Sequence, residues 1–191
     1  MLVARAREGE RSALRELIGL HQDRLFGFIW RMVRDHHEAE DICQDAFLKA
    51  FASLDTFSTE YRFSTWLFTI AYRVCLNRLR RKRVLSIDEH SPALPLEDGE
   101  TPATVLESQE AARLRESLWD AVDQLTPPQR ATVLLFYRHD MGCQEIARII
   151  ELPLATVKSH LHRARGRLRE LLEAAAEKDG TLYRNLKERA G

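Results

Sequence analysis

Lys158, Ser159, His162 and Arg163 sit among apolar residues, Val157, Leu161, Ala164, Leu168 and Leu171, that recur at i, i+4, i+7, i+11 and i+14. That spacing buries one stripe of a helix and leaves cations, a hydroxyl and an imidazole on the other side. Such donors match the acceptors of base edges and phosphates in a major groove. Just upstream, Ile146, Ala147 and Ile150 give a shorter helix an apolar face, and Glu151-Leu152-Pro153 ends it. Proline suits the first turn of the next helix because its missing N–H is not needed there. The pair reads as a helix-turn-helix. No Asp or Glu lies between Glu151 and Glu170, and Arg169 adds to the basic face. A solvated basic face is the plainer reading of the charge; the turn, the proline and the placement of the polar residues favour DNA.

A second set lies on a predicted helix over Arg62–Arg83. Phe63, Leu67, Ile70 and Val74 form one apolar stripe, and Phe68, Tyr72, Cys75 and Leu79 another. A helix apolar on two sides is buried among others. Its remaining strip holds Arg62, Trp66, Thr69, Arg73, Asn77 and Arg80. An indole among cations suits a single strand, which needs a ring to stack on and charge for its backbone. The other reading is that Trp66 closes a small core. The preceding loop, Thr56–Tyr61, offers hydroxyls and aromatics to an unstacked base. A third set, Asp35, Glu38, Glu40, Asp41 and Asp45, crowds the start of another helix. The helix dipole favours acids there. Asp41, Gln44, Asp45 and Leu48 also share a flank that suits a basic helical partner. His36 and His37 beside Glu38, Glu40 and Asp41 invite a metal reading, but adjacent helical residues diverge by about 100°, so no metal is expected.

The elements that must position these residues are all helical. Apolar residues over 2–34 predict helices with breaks near Gly9 and Gly19–His21. Asp35 with Glu38 three residues on predicts a capping box and a helix to about Leu54. Thr101-Pro102 and Thr126-Pro127-Pro128-Gln129 each read as a helix start, the second leading from about Pro127 to His139. The fold class is therefore all-α: two small helical domains, at 1–85 and 102–175, with a linker at 86–101 and a charged tail at 176–191. The linker carries Pro92, Pro95, Gly99 and several acids, and should leave the placement of the two domains soft.

The 191 residues carry a formal net charge of zero, which conceals the distribution. No acid lies between Glu60 and Asp88, and no Lys or Arg between Arg83 and Arg113. Two basic surfaces are thus separated by an acidic segment. Cys43, Cys75 and Cys143 have no paired spacing, which argues against a zinc ribbon or a disulfide framework. With no membrane-length apolar run and no signal-peptide pattern, a cytoplasmic protein is expected.

These stretches resemble the extracytoplasmic-function sigma factors. DHHEAEDICQDAFLKAF (Asp35–Phe51) and TFSTEYRFSTWLFTIAYRVCLNRLRRKR (Thr56–Arg83) are similar to region 2 of that family, and Leu125–Leu171 to its region 4. The resemblance implies that Glu38, Asp41, Gln44, Asp45 and Leu48 bind core RNA polymerase. It implies a minus-ten surface of Tyr61, Arg62, Ser64, Thr65, Trp66, Thr69, Arg73, Asn77 and Arg80, and a minus-thirty-five surface of Thr156, Lys158, Ser159, His162, Arg163 and Arg165. Implied partners are both large polymerase subunits, promoter DNA and an anti-sigma factor, expected to be membrane-anchored. The soft linker and the docking surfaces on both domains add the expectation that such an inhibitor holds both domains at once. No enzyme activity, cofactor, small-molecule substrate or membrane insertion is expected. The chain departs from the family where Ser58-Thr59 follows Phe57, where Glu151 and Ala155 replace common glycines, and where His160 replaces a common arginine. Glu151 in particular predicts a strained or reshaped turn.

Two rivals stay in play at this point. A two-domain helix-turn-helix regulator would need a ligand pocket or phosphoacceptor pattern. A recombinase would need an activated nucleophile, and Ser64 and Ser159 have no evident base beside them.

Overall fold

The computed structural model describes residues 2–88 and 109–179. Helix α1 (Leu2–Arg7) and helix α2 (Arg11–Val33) meet at a turn where Gly9 takes a φ of 83°. The break expected at Gly19–His21 is absent, and α2 runs straight through. A helical glycine costs about 1 kcal/mol against alanine. Burying Leu17, Leu25, Phe28 and Ile29 on one face outweighs that. Left-handed Arg34 closes α2, its N–H donating to the Trp30 carbonyl at 2.8 Å.

Helix α3 (His36–Ala52) starts where expected, with Asp35 Oδ1 accepting from the Glu38 N–H at 2.9 Å, but the expected capping box is only half made, because the Glu38 side chain turns elsewhere. The Glu38 carboxylate meets Lys82 Nζ at 2.7 Å. A short 3-10 turn at Leu54–Thr56 leads to helix α4 (Phe63–Asp88), which continues past the expected linker start at 86. The rest of the expected linker, the Thr101-Pro102 start and all of the tail beyond Asp179 lie outside the described residues.

Helix α5 (Gln109–Asp123) is followed by helix α6 (Pro127–Val133), where Gln129 Oε1 accepts from the Thr126 N–H at 3.3 Å. Helix α6 widens into a π turn, Leu134–Arg138. Helix α7 (Cys143–Ile150) and helix α8 (Leu154–Asp179) form the helix-turn-helix.

Phe28, Ile29, Ile42, Leu67 and Phe68 fill the space between α2, α3 and α4, while Leu135, Ile146, Ile149 and Val157 fill that between the π turn, α7 and α8. These two sets join into one core. Helix α4 packs along α7, and α2 meets the π turn. His139 enters between Phe28 and Phe68, its ring 6.0 and 5.0 Å from theirs. Arg34 Nε pairs with Asp123 Oδ2 at 2.9 Å, both side chains largely buried. Arg130 donates to the Met32 carbonyl at 3.1 Å, and Arg24 to that of His139 at 2.9 Å. The two halves thus pack against each other in this structure. Whatever the linker allows, Phe68 and Leu135 are apolar surface that the two halves cover for each other.

Candidate nucleic-acid and polymerase interfaces

The α8 surface follows directly from its apolar stripe. Val157, Leu161 and Ala164 are buried, which leaves Lys158, His162 and Arg163 exposed and Thr156 and Ser159 half-buried beside them. Arg165 is exposed but held: its Nε donates to the Tyr137 hydroxyl at 2.7 Å, and its guanidinium lies over the Phe136 and Tyr137 rings. His160 turns inward, and burial, then Arg163, lower its pKa. It is neutral near pH 7 and adds no phosphate cation. Glu151 carries the turn into α8 in the left-handed region, at φ 56° and ψ 42°, as its departure from glycine predicts.

The α4 surface is only partly open. Arg62, Asn77 and Arg80 are exposed and Ser64 is half-buried. Trp66 is half-buried, its ring 5.2 Å from Phe57 and 5.8 Å from Phe63, so it supports a small aromatic core and still reaches solvent. Phe57 is pinned from behind by Arg7, which donates to the Leu54 carbonyl at 3.0 Å and to the Phe57 carbonyl, with its guanidinium 5.9 Å from the Phe57 ring. Sequence reasoning missed Arg7, since nothing near it in the chain marks a partner some fifty residues away.

Thr65 and Arg73 of the strip are taken up by the C-terminal half. The Thr65 hydroxyl donates to the Glu145 carboxylate, and Thr69 Oγ1 donates to the Thr65 carbonyl at 2.9 Å. Arg73 makes a two-pronged pair with Glu151, its Nε 3.1 Å from Oε2. That hydrogen bond lowers the Glu151 pKa. Arg148 lies 4.8 Å from the Tyr61 ring centroid. Together Glu60, Tyr61, Arg62 and Thr65 face Gly142, Gln144, Glu145 and Arg148 across an open polar cleft of about 370 Å³. Glu145 and Arg148 went unnoticed in the sequence, and Glu151 stood out for its turn but not for its pairing with Arg73. The available signal was two acids in the otherwise basic stretch between Met141 and Arg169.

On α3, Asp41, Gln44, Asp45 and Leu48 are exposed in one row, with Leu48 67% accessible. Glu38 is set apart by its pairing with Lys82. At the start of α3 the expected divergence does not hold. Glu40 lies four residues from His36 and three from His37, so both rings reach its carboxylate, at 3.6 and 3.7 Å. All three side chains are exposed, and nothing encloses the trio. Cys43 and Cys75 are buried free thiols whose pKa burial raises to about 11 and about 12. Among the described residues, no helix is long and apolar enough to cross a membrane.

Comparison with known proteins agrees with this arrangement. Residues 17–84 match the model of Sigma-70 region 2 and residues 115–168 that of Sigma-70, region 4. The chain is 28% identical over 181 residues to the ECF RNA polymerase sigma factor SigW of Bacillus subtilis, covering 89% of this chain and 94% of that one. It is 33% identical over 168 residues to the RNA polymerase sigma factor CarQ of Myxococcus xanthus, covering 88% and 94%. In structure it is similar to the sigma factor RpoE of Bartonella quintana, solved with the anti-sigma factor NepR, at a TM-score of 0.69 and 26% identity over 83% of this chain and 96% of that one. An α4 strip and an α8 face that fall within the matched regions, on a chain that spans nearly the whole of such relatives, place this protein in the extracytoplasmic-function branch of the sigma-70 family of RNA polymerase sigma factors.

Proposed function

We propose that this sigma factor brings core RNA polymerase to its promoters through three separate surfaces. The α3 row of Asp41, Gln44, Asp45 and Leu48 docks on the polymerase, with Glu38 supporting it through Lys82. The α8 face, Thr156, Lys158, Ser159, His162 and Arg163 with Arg165 behind them, reads the upstream element in the major groove. The α4 strip from Tyr61 to Arg80 captures the strand that is freed on melting. The protein supplies recognition and no catalytic group of its own, and it works in the cytoplasm with promoter DNA. By likeness to RpoE, whose solved complex contains NepR, it has an anti-sigma partner. That partner binds across both halves.

The observation that carries this reading is the α8 face, which sets exposed cations, a half-buried hydroxyl and an imidazole over the buried side chains of Val157, Leu161 and Ala164 behind a helix-turn-helix turn. The test is run-off transcription with added core polymerase across a promoter library. Promoter-selective transcripts that appear only with this protein are the expected result. A protein that binds promoter duplex yet neither joins core nor yields transcripts returns the chain to the class of stand-alone regulators. Cleavage of supercoiled DNA makes it a recombinase.

A further inference from the structure

Between Met141 and Arg169 the chain has two acids, Glu145 and Glu151. Both are spent on the α4 strip. Glu145 accepts from Thr65 at the start of the strip, and Glu151 accepts from both prongs of Arg73, two turns further along. Between them Arg148 of the same short helix covers the Tyr61 ring. A hydroxyl, a guanidinium and an aromatic face are the three kinds of group that a single-stranded nucleic acid uses. Here each meets a group of matching type: a carboxylate where a phosphate would sit, and a planar guanidinium where a base would stack.

The backbone supplies an independent observation. Glu151 holds a left-handed conformation at φ 56°, which glycine adopts freely and glutamate does not. Local geometry gives no reason for a glutamate there. Its carboxylate does, because the turn aims it at Arg73 across the boundary between the two halves. The ion pair is half exposed, so its worth as a stabilising contact is small. Its effect is occupancy. The closed arrangement is already held by the shared core around Phe68 and His139. The two carboxylates determine what the strip can bind while that arrangement lasts.

We infer that α7 and the turn after it form an intramolecular stand-in for the promoter strand, with Glu145 and Glu151 taking the place of backbone phosphates on Thr65 and Arg73. The free protein is thereby barred from single-stranded DNA until its C-terminal half is drawn away. This rests on the reading of α4 as the strand-binding surface.

The test uses the full chain without polymerase. Wild-type protein and the double variant Glu145→Gln, Glu151→Gln are titrated into a labelled single-stranded oligonucleotide of about twelve nucleotides, in low-salt buffer, and followed by fluorescence anisotropy. Both substitutions keep size and helix propensity, and far-ultraviolet circular dichroism checks the fold. The double variant should bind at least about five-fold more tightly than wild type, with each single variant in between. Equal affinity, or no binding by either protein, overturns the proposal. A separate arm addresses the strand-binding reading itself: permanganate footprinting of holoenzyme carrying Trp66→Ala or Asn77→Ala, in which region 4 is engaged upstream. Normal melting there sinks that reading. Impaired melting together with equal oligonucleotide affinities sinks only the stand-in.

Discussion

Single residues on α8 separate two kinds of contact. Lys158 and Arg163 are exposed on the face proposed to read DNA and take no part in the core. Replacing a base-reading arginine should cost about 1–3 kcal/mol and relax preference at one position. Replacing a phosphate-binding lysine should weaken all sequences alike and flatten the salt dependence. Arg163→Ala and Lys158→Ala, titrated on promoter and scrambled duplex at several salt concentrations, distinguish the two. Unchanged affinity for both would remove α8 from the DNA. At the turn, Glu151 makes a different prediction. A β-branched residue at its positive φ is a far worse fit than glutamate. Glu151→Val should lower stability by about 1–2 kcal/mol in a thermal melt, whereas Glu151→Gly should melt close to wild type, relief of the backbone offsetting a weak surface pair.

At the level of elements, helix caps and apolar periods were readable because they are local. Asp35, Thr126 and the Val157–Ala164 stripe all behave as their spacing demands. The Gly19 break was not, because the tertiary burial of Leu17 and Leu25 decides whether α2 survives its glycine, and burial is invisible in a local window. That glycine is helical, and an added Cβ would meet nothing within 4 Å. Gly19→Ala should therefore raise stability by about 0.5–1 kcal/mol, measured by urea denaturation. No gain would mean that α2 draws something from that position that its surroundings do not reveal. The surface patterns were legible to a similar degree: the residues of the α8 face and the α3 row are exposed together, as their spacing demands. Thr65 and Arg73 of the α4 strip are engaged by residues about eighty positions away, and no periodicity announces that.

On the scale of the molecule, closure depends on groups that meet only when the halves do. His139 is buried against Phe28 and Phe68, and burial, with Arg24 and Arg138 adding to it, lowers its pKa from 6.5 to about 4. An opened form frees the ring to take up a proton below about pH 6.5, while the closed form resists until about 4. The His139 contribution to closure is thus complete above pH 6.5 and is lost as the pH falls toward 4. Small-angle X-ray scattering should show the protein expanding across that window, and His139→Phe should blunt the response. Asp123 acts at the other end of the boundary. Removing a partner from a largely buried ion pair costs about 3 kcal/mol, so Asp123→Ala should open the structure at neutral pH by leaving Arg34 uncompensated.

The guanidinium of Arg31 lies 4.2 Å from the ring centroid of Trp30 and 3.5 Å from that of Trp119, so one cation is layered between an indole of each half. The chain has three tryptophans, and two of them sit in this stack. Separation of the halves would move Trp119 from a packed, charged environment into water while Trp30 keeps its cation. The protein therefore carries its own optical gauge of opening: emission from Trp119, read against a Trp119→Phe blank, would report in real time and without any attached dye whether and how fast an added partner separates the two halves.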